Sequence, residues 1–345
     1  MRVLVTGHHG YIGSVLAPLL ADAGHDVEGL DTFFYRGCDF GSNEASVPGR
    51  VADVRDVAAP DLEGFDAIVH LAALSNDPLG DLDPSLTDDI NRKGTLHLAR
   101  AARAAGVRRF VFASSCSMYG VSGTDDPLGE DATLRPLTAY AESKVRAEEG
   151  LFALAGPDFA PVSMRNATAF GVSPRLRLDI VLNNLAAWAQ TTGQIKLLSD
   201  GTAWRPLVHI RDIAKAALVL LEAPETTIRG EAFNVGTDEQ NYRMRAVAEV
   251  LAEVSGCEIH VATGSVADQR SYRVDFSKLG RTFPDLVFDW DAERGARELI
   301  DAYRRVELTS DDFEGDRYVR LRRLSSLLDG GDLDPRLRWQ ATVAS

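Results

Sequence analysis

A glycine-spaced turn between an apolar run and a helical one, at the very start of the chain, restricts the architecture more than any other segment. Arg2–Thr6 (RVLVT) leads straight into Gly7-His8-His9-Gly10-Tyr11-Ile12-Gly13, and SVLAPLLADAG follows with helical spacing. A strand–turn–helix of this kind lets backbone N–H groups and the helix dipole meet a diphosphate. Gly7 permits the tight turn, Gly10 lets the backbone approach the phosphates, and Gly13 lets the helix close on the strand. The spacing is G-x-x-G-x-x-G rather than G-x-G-x-x-G, so the glycines alone are a weak sign. The strand before them and the helix and second strand after them give the turn its weight. His8 and His9 read as variable filler of the turn.

The rest of the first half keeps the same alternation. Asp26–Leu30, Ala67–Leu71 and Arg109–Ala113 are β-branched or apolar runs that predict buried parallel strands. Between them the spacing predicts helices over Tyr11–Ala23, near Asp88–Ala105 and over Ala139–Leu154. Pro161–Met164 and Glu231–Val235 add two further strands. Strands alternating with helices of this length make βαβ units. The expected fold is α/β: a Rossmann-type doubly wound parallel sheet built from residues 1–170, to which a segment at about 205–240 returns. Residues 171–345 are expected to form mainly a smaller C-terminal substrate-binding domain and a tail. There the spacing predicts helices over Leu178–Thr192, Ile213–Glu222, Arg243–Val254 and Asp291–Val306, and strands over Ile195–Leu198 and Trp204–His209. The tail Ser310–Ser345 has helical spacing in Tyr318–Leu328, then a GGDLDP turn. No repeat or clean linker divides the chain.

Charge narrows the partners. Lys+Arg number 37 against Asp+Glu 51, a net charge of −14. Such a chain does not coat nucleic acid or an anionic membrane, and an anionic ligand must be met by locally placed Arg or backbone N–H groups. Cys38, Cys116 and Cys257 are too few and scattered for a disulfide framework or a metal knuckle, so no metal is expected and a reducing cytoplasm suits the chain. The opening MRVLVTG has no charged leader before it, and no apolar stretch is long enough for a span, so neither a signal peptide nor a membrane segment is expected.

Two further features carry chemistry. Asp31 ends the second strand, where a carboxylate accepts the adenosine ribose hydroxyls and repels a 2′-phosphate, favouring NAD over NADP. The bland reading is a turn cap, and nearby Arg36 leaves a route to NADP. Farther on, Tyr140 and Lys144 stand at i and i+4 on one helix face, downstream of a strand ending in Ser114-Ser115. An ammonium beside a phenol favours the phenolate, which suits Tyr140 as a general base for an alcohol or sugar hydroxyl. Ser115, at the carboxyl end of its strand, can share the same oxygen. Y-x-x-x-K alone is common on amphipathic helices. Its place after the glycine turn, Asp31 and the strand-end serine is what marks it.

In that order the chain resembles the extended short-chain dehydrogenase/reductases, the branch of nucleotide-sugar 4-epimerases, 4,6-dehydratases and 4-ketoreductases. The matching pieces are TGHHGYIG, Asp53-Val54, HLAA at His70–Ala73, INRKGT at Ile90–Thr95, SSCSMYG, YAESK and RPLVHIRDIAKA at Arg205–Ala216. They reach to about Asp275, and the tail matches nothing. The resemblance implies NAD as cofactor, with Gly7, Gly10, Tyr11, Ile12 and Gly13 at its diphosphate, Asp31 at the ribose and Asp53 and Val54 flanking adenine. Leu71, Ala72 and Ala73 would line the channel, and Lys144 would reach the nicotinamide ribose. Tyr140 would be the acid/base on the sugar O4, with Ser115 sharing that oxygen. A nucleotide-diphosphate sugar would meet Arg205 and Arg270 with its phosphates. Thr168 stands where the family has a phosphate-binding Asn, with Asn166 nearby to replace it, and Ser75 belongs to a divergent loop, Leu74–Asp81, tied to sugar choice.

Where the 4,6-dehydratases carry an Asp-Glu acid and base after the serine or threonine, this chain has Cys116 and Ser117. Cys116 reads as a small buried filler, and Trp188, Trp204 and Trp290 as packing residues. The expected activity is a nucleotide-sugar 4-epimerase acting through a transient 4-keto sugar. The alternatives are a 4-keto-hexose reductase, a non-standard 4,6-dehydratase, or a redox-inert NAD(P)-binding regulator. The resemblance also implies a homodimer, through the helix bearing Tyr140 and the one near Asp88–Ala105.

Overall fold

The computed structural model contains all 345 residues, of which 1–41, 47–75, 83–122, 125–262 and 270–340 are described. Among the described residues there are twelve strands, in chain order β1 Arg2–Thr6, β2 Asp26–Asp31, β3 Gly49–Val51, β4 Ala67–His70, β5 Arg109–Ser115, β6 Ala160–Asn166, β7 Thr168–Phe170, β8 Gln194–Leu197, β9 Trp204–His209, β10 Glu231–Val235, β11 Asn241–Arg243 and β12 Glu258–Val261. Seven of them form one sheet in the order β10-β6-β5-β4-β1-β2-β3, and every neighbouring pair is parallel. The Rossmann-type expectation therefore holds.

Side-chain alternation along β1 explains the two-faced burial. Val3 and Val5 point to a core shared with Leu16, Ala17 and Leu20 of the helix Gly13–Asp22 and with the helix Ile210–Glu222. Leu4 points the other way, to Ile68, Phe110 and Phe112 under the helices Thr95–Ala104 and Ala139–Phe152. From β1 the chain winds outward to β2 and β3, then crosses back to β4, β5 and β6. The reversal between β1 and β4 opens a crevice at the carboxyl ends of the strands, where ligands of such sheets bind.

The second half builds its own core. The helices Val181–Thr192, Met244–Ser255 and Ala292–Arg305 pack around Ile195, Leu197 and Leu207. β12 pairs in parallel with β8, and β11-β9-β7 form a small sheet beside them. Segment 231–235 returns to the large sheet as β10. The helix in the tail, Arg320–Asp329, does not extend the second core. Its Leu324 and Leu327 pack with Leu333 and Leu337 on Phe34, Leu74, Leu86 and Ile90, beside the crevice.

Several elements differ from expectation at their ends. The helix expected near Asp88–Ala105 begins as a wide π turn over Asp88–Gly94 before its α-helical part. The helix expected from Leu178 starts at Val181, because Ile180 is extended and serves as its N-cap. The divergent loop lies outside the described residues from Asn76 onward.

Candidate active site

One cavity of about 410 Å³ opens at the crevice. Its walls contain Gly7, Gly10, Tyr11, Ile12 and Gly13, then Asp31, Asp53 and Val54, then Leu71, Ala72, Ala73 and Ser75. Ser115, Tyr140 and Lys144 stand in the same cavity, as do Asn166, Thr168, Arg205 and Arg270. Fold topology thus gathers all the candidate residues from segments scattered over most of the chain.

The glycine turn is shaped by contacts that leave no room for side chains. Gly7 has φ +75°, and its N–H donates to Leu30 O at 2.8 Å, tying the turn to the end of β2. A Cβ on Gly7 would lie 2.7 Å from the Ala72 nitrogen, and one on Gly13 would lie 2.2 Å from Gly7 O. Those contacts hold the first turn of the helix Gly13–Asp22 against the strand ends, the cradle a dinucleotide diphosphate requires. Tyr11 lines the cavity, but its hydroxyl donates to Gly171 O at 2.7 Å and accepts from Asn183 Nδ2 at 3.3 Å. Its phenol fastens the glycine turn to the second half.

His8 and His9 are more than filler. The His8 ring occupies the space above Gly29 and Gly49, where an added Cβ would come within 2.2 Å and 2.3 Å of it. The His9 ring sits against Arg175, which also pairs with Asp39, and burial followed by Arg175 lowers its pKa to about 4. The Asp31 carboxylate accepts the Phe33 N–H at 2.7 Å and the His9 N–H at 3.0 Å while lining the cavity. Capping the turn and facing a ribose are therefore compatible roles for one side chain. Arg36 lies over the Phe33 ring, outside the cavity wall.

The opposite end holds the candidate chemistry. Thr138 caps the helix Ala139–Phe152 by accepting the Ala141 N–H at 3.2 Å, which fixes where Tyr140 and Lys144 emerge. Lys144 is 3% exposed; its Nζ donates to Ala113 O at 2.7 Å and lies 5.8 Å from the Tyr140 ring centroid. Burial lowers its pKa to about 7. The unfolded chain therefore holds the Lys144 proton more tightly than the fold does. Raising the pH from about 7 towards 10.5 should stabilise the cofactor-free fold through this group, by up to about 1.4 kcal/mol per pH unit. Urea unfolding across that range should show the increment in wild type and not in K144M; equal slopes would contradict the assignment.

Ser115 Oγ accepts the Ser117 N–H at 3.1 Å at the end of β5. Cys116 turns away from the cavity: it is 1% exposed, its thiol donates to Arg165 O at 3.0 Å, and burial pushes its pKa up. Ser117 Oγ and Asn166 Oδ1, both on cavity-lining residues, are buried without hydrogen-bond partners. Such orphaned groups suit a polyhydroxylated ligand. Arg205 is 6% exposed, with its guanidinium donating to Trp204 O and Arg270 O beside the Tyr272 ring. None of Trp188, Trp204 and Trp290 lines the cavity; Trp290 stacks on His209 at 3.8 Å.

Three residues escaped the sequence reading. Asn91, buried in the π turn, accepts the Leu74 N–H at 2.8 Å and donates to Leu74 O at 3.0 Å and Ser143 Oγ at 3.1 Å. It thereby ties the loop after β4 to the helix that carries Tyr140 and Lys144. The widened turn allows this reach, a recurrent use of π geometry. N91A should lower stability by about 1–3 kcal/mol, since it strands both Leu74 backbone groups; a urea midpoint unchanged from wild type would contradict this. INRKGT contained the signal. Arg177 and Arg320, also in the wall, lie in segments with no motif to mark them. Arg177 pairs with Asp179 at 2.8 Å and donates to Ser75 Oγ at 3.0 Å.

Among the described residues no group of three or more His, Cys, Asp or Glu could hold a metal ion, and no helix is long and apolar enough to cross a membrane. Comparison with known proteins gives the same picture as the geometry. UDP-glucose 4-epimerase of Corynebacterium glutamicum is 32% identical over 290 residues, covering 79% of this chain and 84% of that protein. The Thermus thermophilus UDP-glucose 4-epimerase, solved with NAD, superposes with a TM-score of 0.74 at 27% identity, covering 88% of this chain and 99% of that one. MoeE5, solved with UDP-glucuronic acid and NAD, superposes with a TM-score of 0.76 at 26% identity, covering 89% and 100%. Residues 3–236 match the NAD dependent epimerase/dehydratase family, and the chain belongs to that family, with NAD as its cofactor.

Proposed function

We propose that the protein is a nucleotide-sugar 4-epimerase that acts on a UDP-hexose or UDP-hexuronate through a transient 4-keto sugar. The observation that carries this reading is the make-up of the catalytic end. One proton-moving pair, Tyr140 and Lys144, stands with Ser115 in the cavity, and the two residues that follow Ser115 are Cys116 and Ser117 rather than an acid and a base. The Cys116 thiol is turned into the protein against Arg165 O, and Ser117 offers only a hydroxyl. Elimination of water needs an acid for the leaving hydroxide, which neither side chain supplies at neutral pH. The UDP-specific names of the relatives support the choice of nucleotide.

In this mechanism the glycine turn and Asp31 hold the cofactor, and Arg205 and Arg270 hold the sugar nucleotide by its phosphates. Tyr140, as phenolate, takes the proton from O4, and Ser115 donates to the same oxygen. The Lys144 ammonium would stabilise the phenolate and, with NAD bound, would hold the nicotinamide ribose. When bound, NAD would supply the hydride chemistry at C4, oxidising the sugar there and reducing the 4-keto sugar again on its opposite face. Tyr140 then gives the proton back to O4. The same residues serve both directions, so no external reductant is consumed.

Incubating the purified protein with UDP-hexoses and UDP-hexuronates, without added cofactor, tests the reading. A C4-inverted product by NMR is expected. A product lighter by one water would make the protein a dehydratase, and turnover only with reduced nicotinamide and a 4-keto sugar would make it a reductase.

We also infer a cytoplasmic homodimer in which the helices Thr95–Ala104 and Ala139–Phe152 pack against their copies. The free cysteines and the adjacency of those helices on one sheet face support it. Light scattering should give twice the chain mass; a monomer at micromolar concentration would contradict it.

A further inference from the structure

The tail from Ser310 onward, which no motif explains, closes one end of the cofactor cavity. Its helix Arg320–Asp329 packs on Phe34, Leu74 and Ile90, three residues of the cavity wall. Beyond the helix, three contacts pin the chain down at the adenosine end. Arg338 pairs with Asp53 at 3.1 Å, Arg55 donates to Arg336 O at 3.0 Å, and Trp339 Nε1 donates to Thr32 O at 2.6 Å. Two of these anchors, Thr32 and Asp53, themselves line the cavity.

The first residue of that helix is the unusual one. Arg320 is 2% exposed and stands in the cavity wall. Its Nη2 donates to Arg175 O at 2.8 Å, and its guanidinium lies 3.9 Å from the Tyr35 ring centroid. Nη1 is buried with no hydrogen-bond partner. The neighbouring acids are committed elsewhere: Asp179 to Arg177, and Asp31 to the amides of His9 and Phe33. A guanidinium is permanently charged and presents five donors, so a dry site with one carbonyl, one ring and two carboxylates shared with other partners leaves Nη1 unsatisfied. The glycine turn, in the wall of the same cavity, offers a diphosphate only neutral N–H donors.

We propose that Arg320 is a cofactor ligand: it places its free guanidinium edge on the NAD diphosphate, and residues 320–339 act as a strap that slows NAD release. Arg177, held by Asp179 and Ser75, stands beside it. A 2′-phosphate is disfavoured as the target, because Asp31 occupies the ribose position. An enzyme that recycles one bound cofactor benefits from slow release. The proposal rests on NAD as the cofactor, not on the sugar reaction, so it stands or falls separately from the epimerase reading.

The test is direct binding to the full-length protein stripped of nucleotide. R320M should weaken NAD and ADP by roughly 10–100-fold while leaving adenosine unchanged by calorimetry or saturation-transfer NMR. R320K should recover part of the loss. R338A and W339A, which keep Arg320, should speed NAD release measured by dilution and chromatography. A merely structural arginine would instead lower the melting temperature and weaken adenosine and ADP equally. That result, or an NAD affinity for R320M within twofold of wild type, overturns the proposal, as does a loss confined to NADP. Should R320M fail to fold, R320Q decides, since it keeps hydrogen bonds and removes the charge.

Discussion

Y140F should lower kcat by roughly 10²–10⁴-fold while the purified variant keeps as much NAD as wild type. In the proposed mechanism the phenol takes the O4 proton and returns it, and phenylalanine preserves the ring and the helix. Lys144 would still be buried against Ala113 O, so folding should be unaffected. The paired readout separates three accounts. A binding protein that never performs chemistry would show no change in any signal. A variant that loses NAD together with turnover would make Tyr140 a cofactor-holding residue only. Turnover within tenfold of wild type would mean that another group carries the O4 proton.

G13A should be nearly as damaging, by a different route. The added Cβ would lie 2.2 Å from Gly7 O and 2.5 Å from His8 Cα, both backbone atoms that cannot rotate away. The helix Gly13–Asp22 must then lift from β1, costing about 1–3 kcal/mol in overpacking. The N–H groups of its first turn, proposed to meet the diphosphate, move with it. NAD affinity should fall about 100-fold, equivalent to roughly 2.7 kcal/mol, in a protein that still folds. G24A makes the control, because nothing lies within 4 Å of a Cβ there, although φ +88° makes that substitution strained as well. If G13A bound NAD like wild type, the cradle would not be where the cofactor sits.

The parts of this fold that were legible in the sequence are those whose cause is local. A strand, three glycines and a helix are adjacent in the chain, and Tyr140 and Lys144 are one helical turn apart. Burial of β1, β4 and β5 follows from continuous apolar runs between turns. What the sequence hid is non-local. β7, β11 and β12 are three or four residues long and exist because β9 and β8 lie alongside them. Asn91 matters because a π turn points it at Leu74 and Ser143. The tail shows amphipathic spacing in Tyr318–Leu328, which says that it packs but not on what; its seat on Phe34 and Leu74 lies at the other end of the chain. Arg320 is one arginine among many until burial isolates it. His8 reads as filler until Gly29 and Gly49 are found to leave it room.

In the proposed reaction hydride leaves C4 of the sugar and returns to the same carbon within one closed site. UDP-glucose carrying deuterium at C4, incubated with the enzyme as purified in ordinary water, tests this directly. UDP-galactose with the label kept at C4 is the expected product, from protein to which no nicotinamide was added. Inverted product carrying solvent hydrogen at C4, or a labelled sugar that has lost water and kept no hydroxyl at C6, would contradict it.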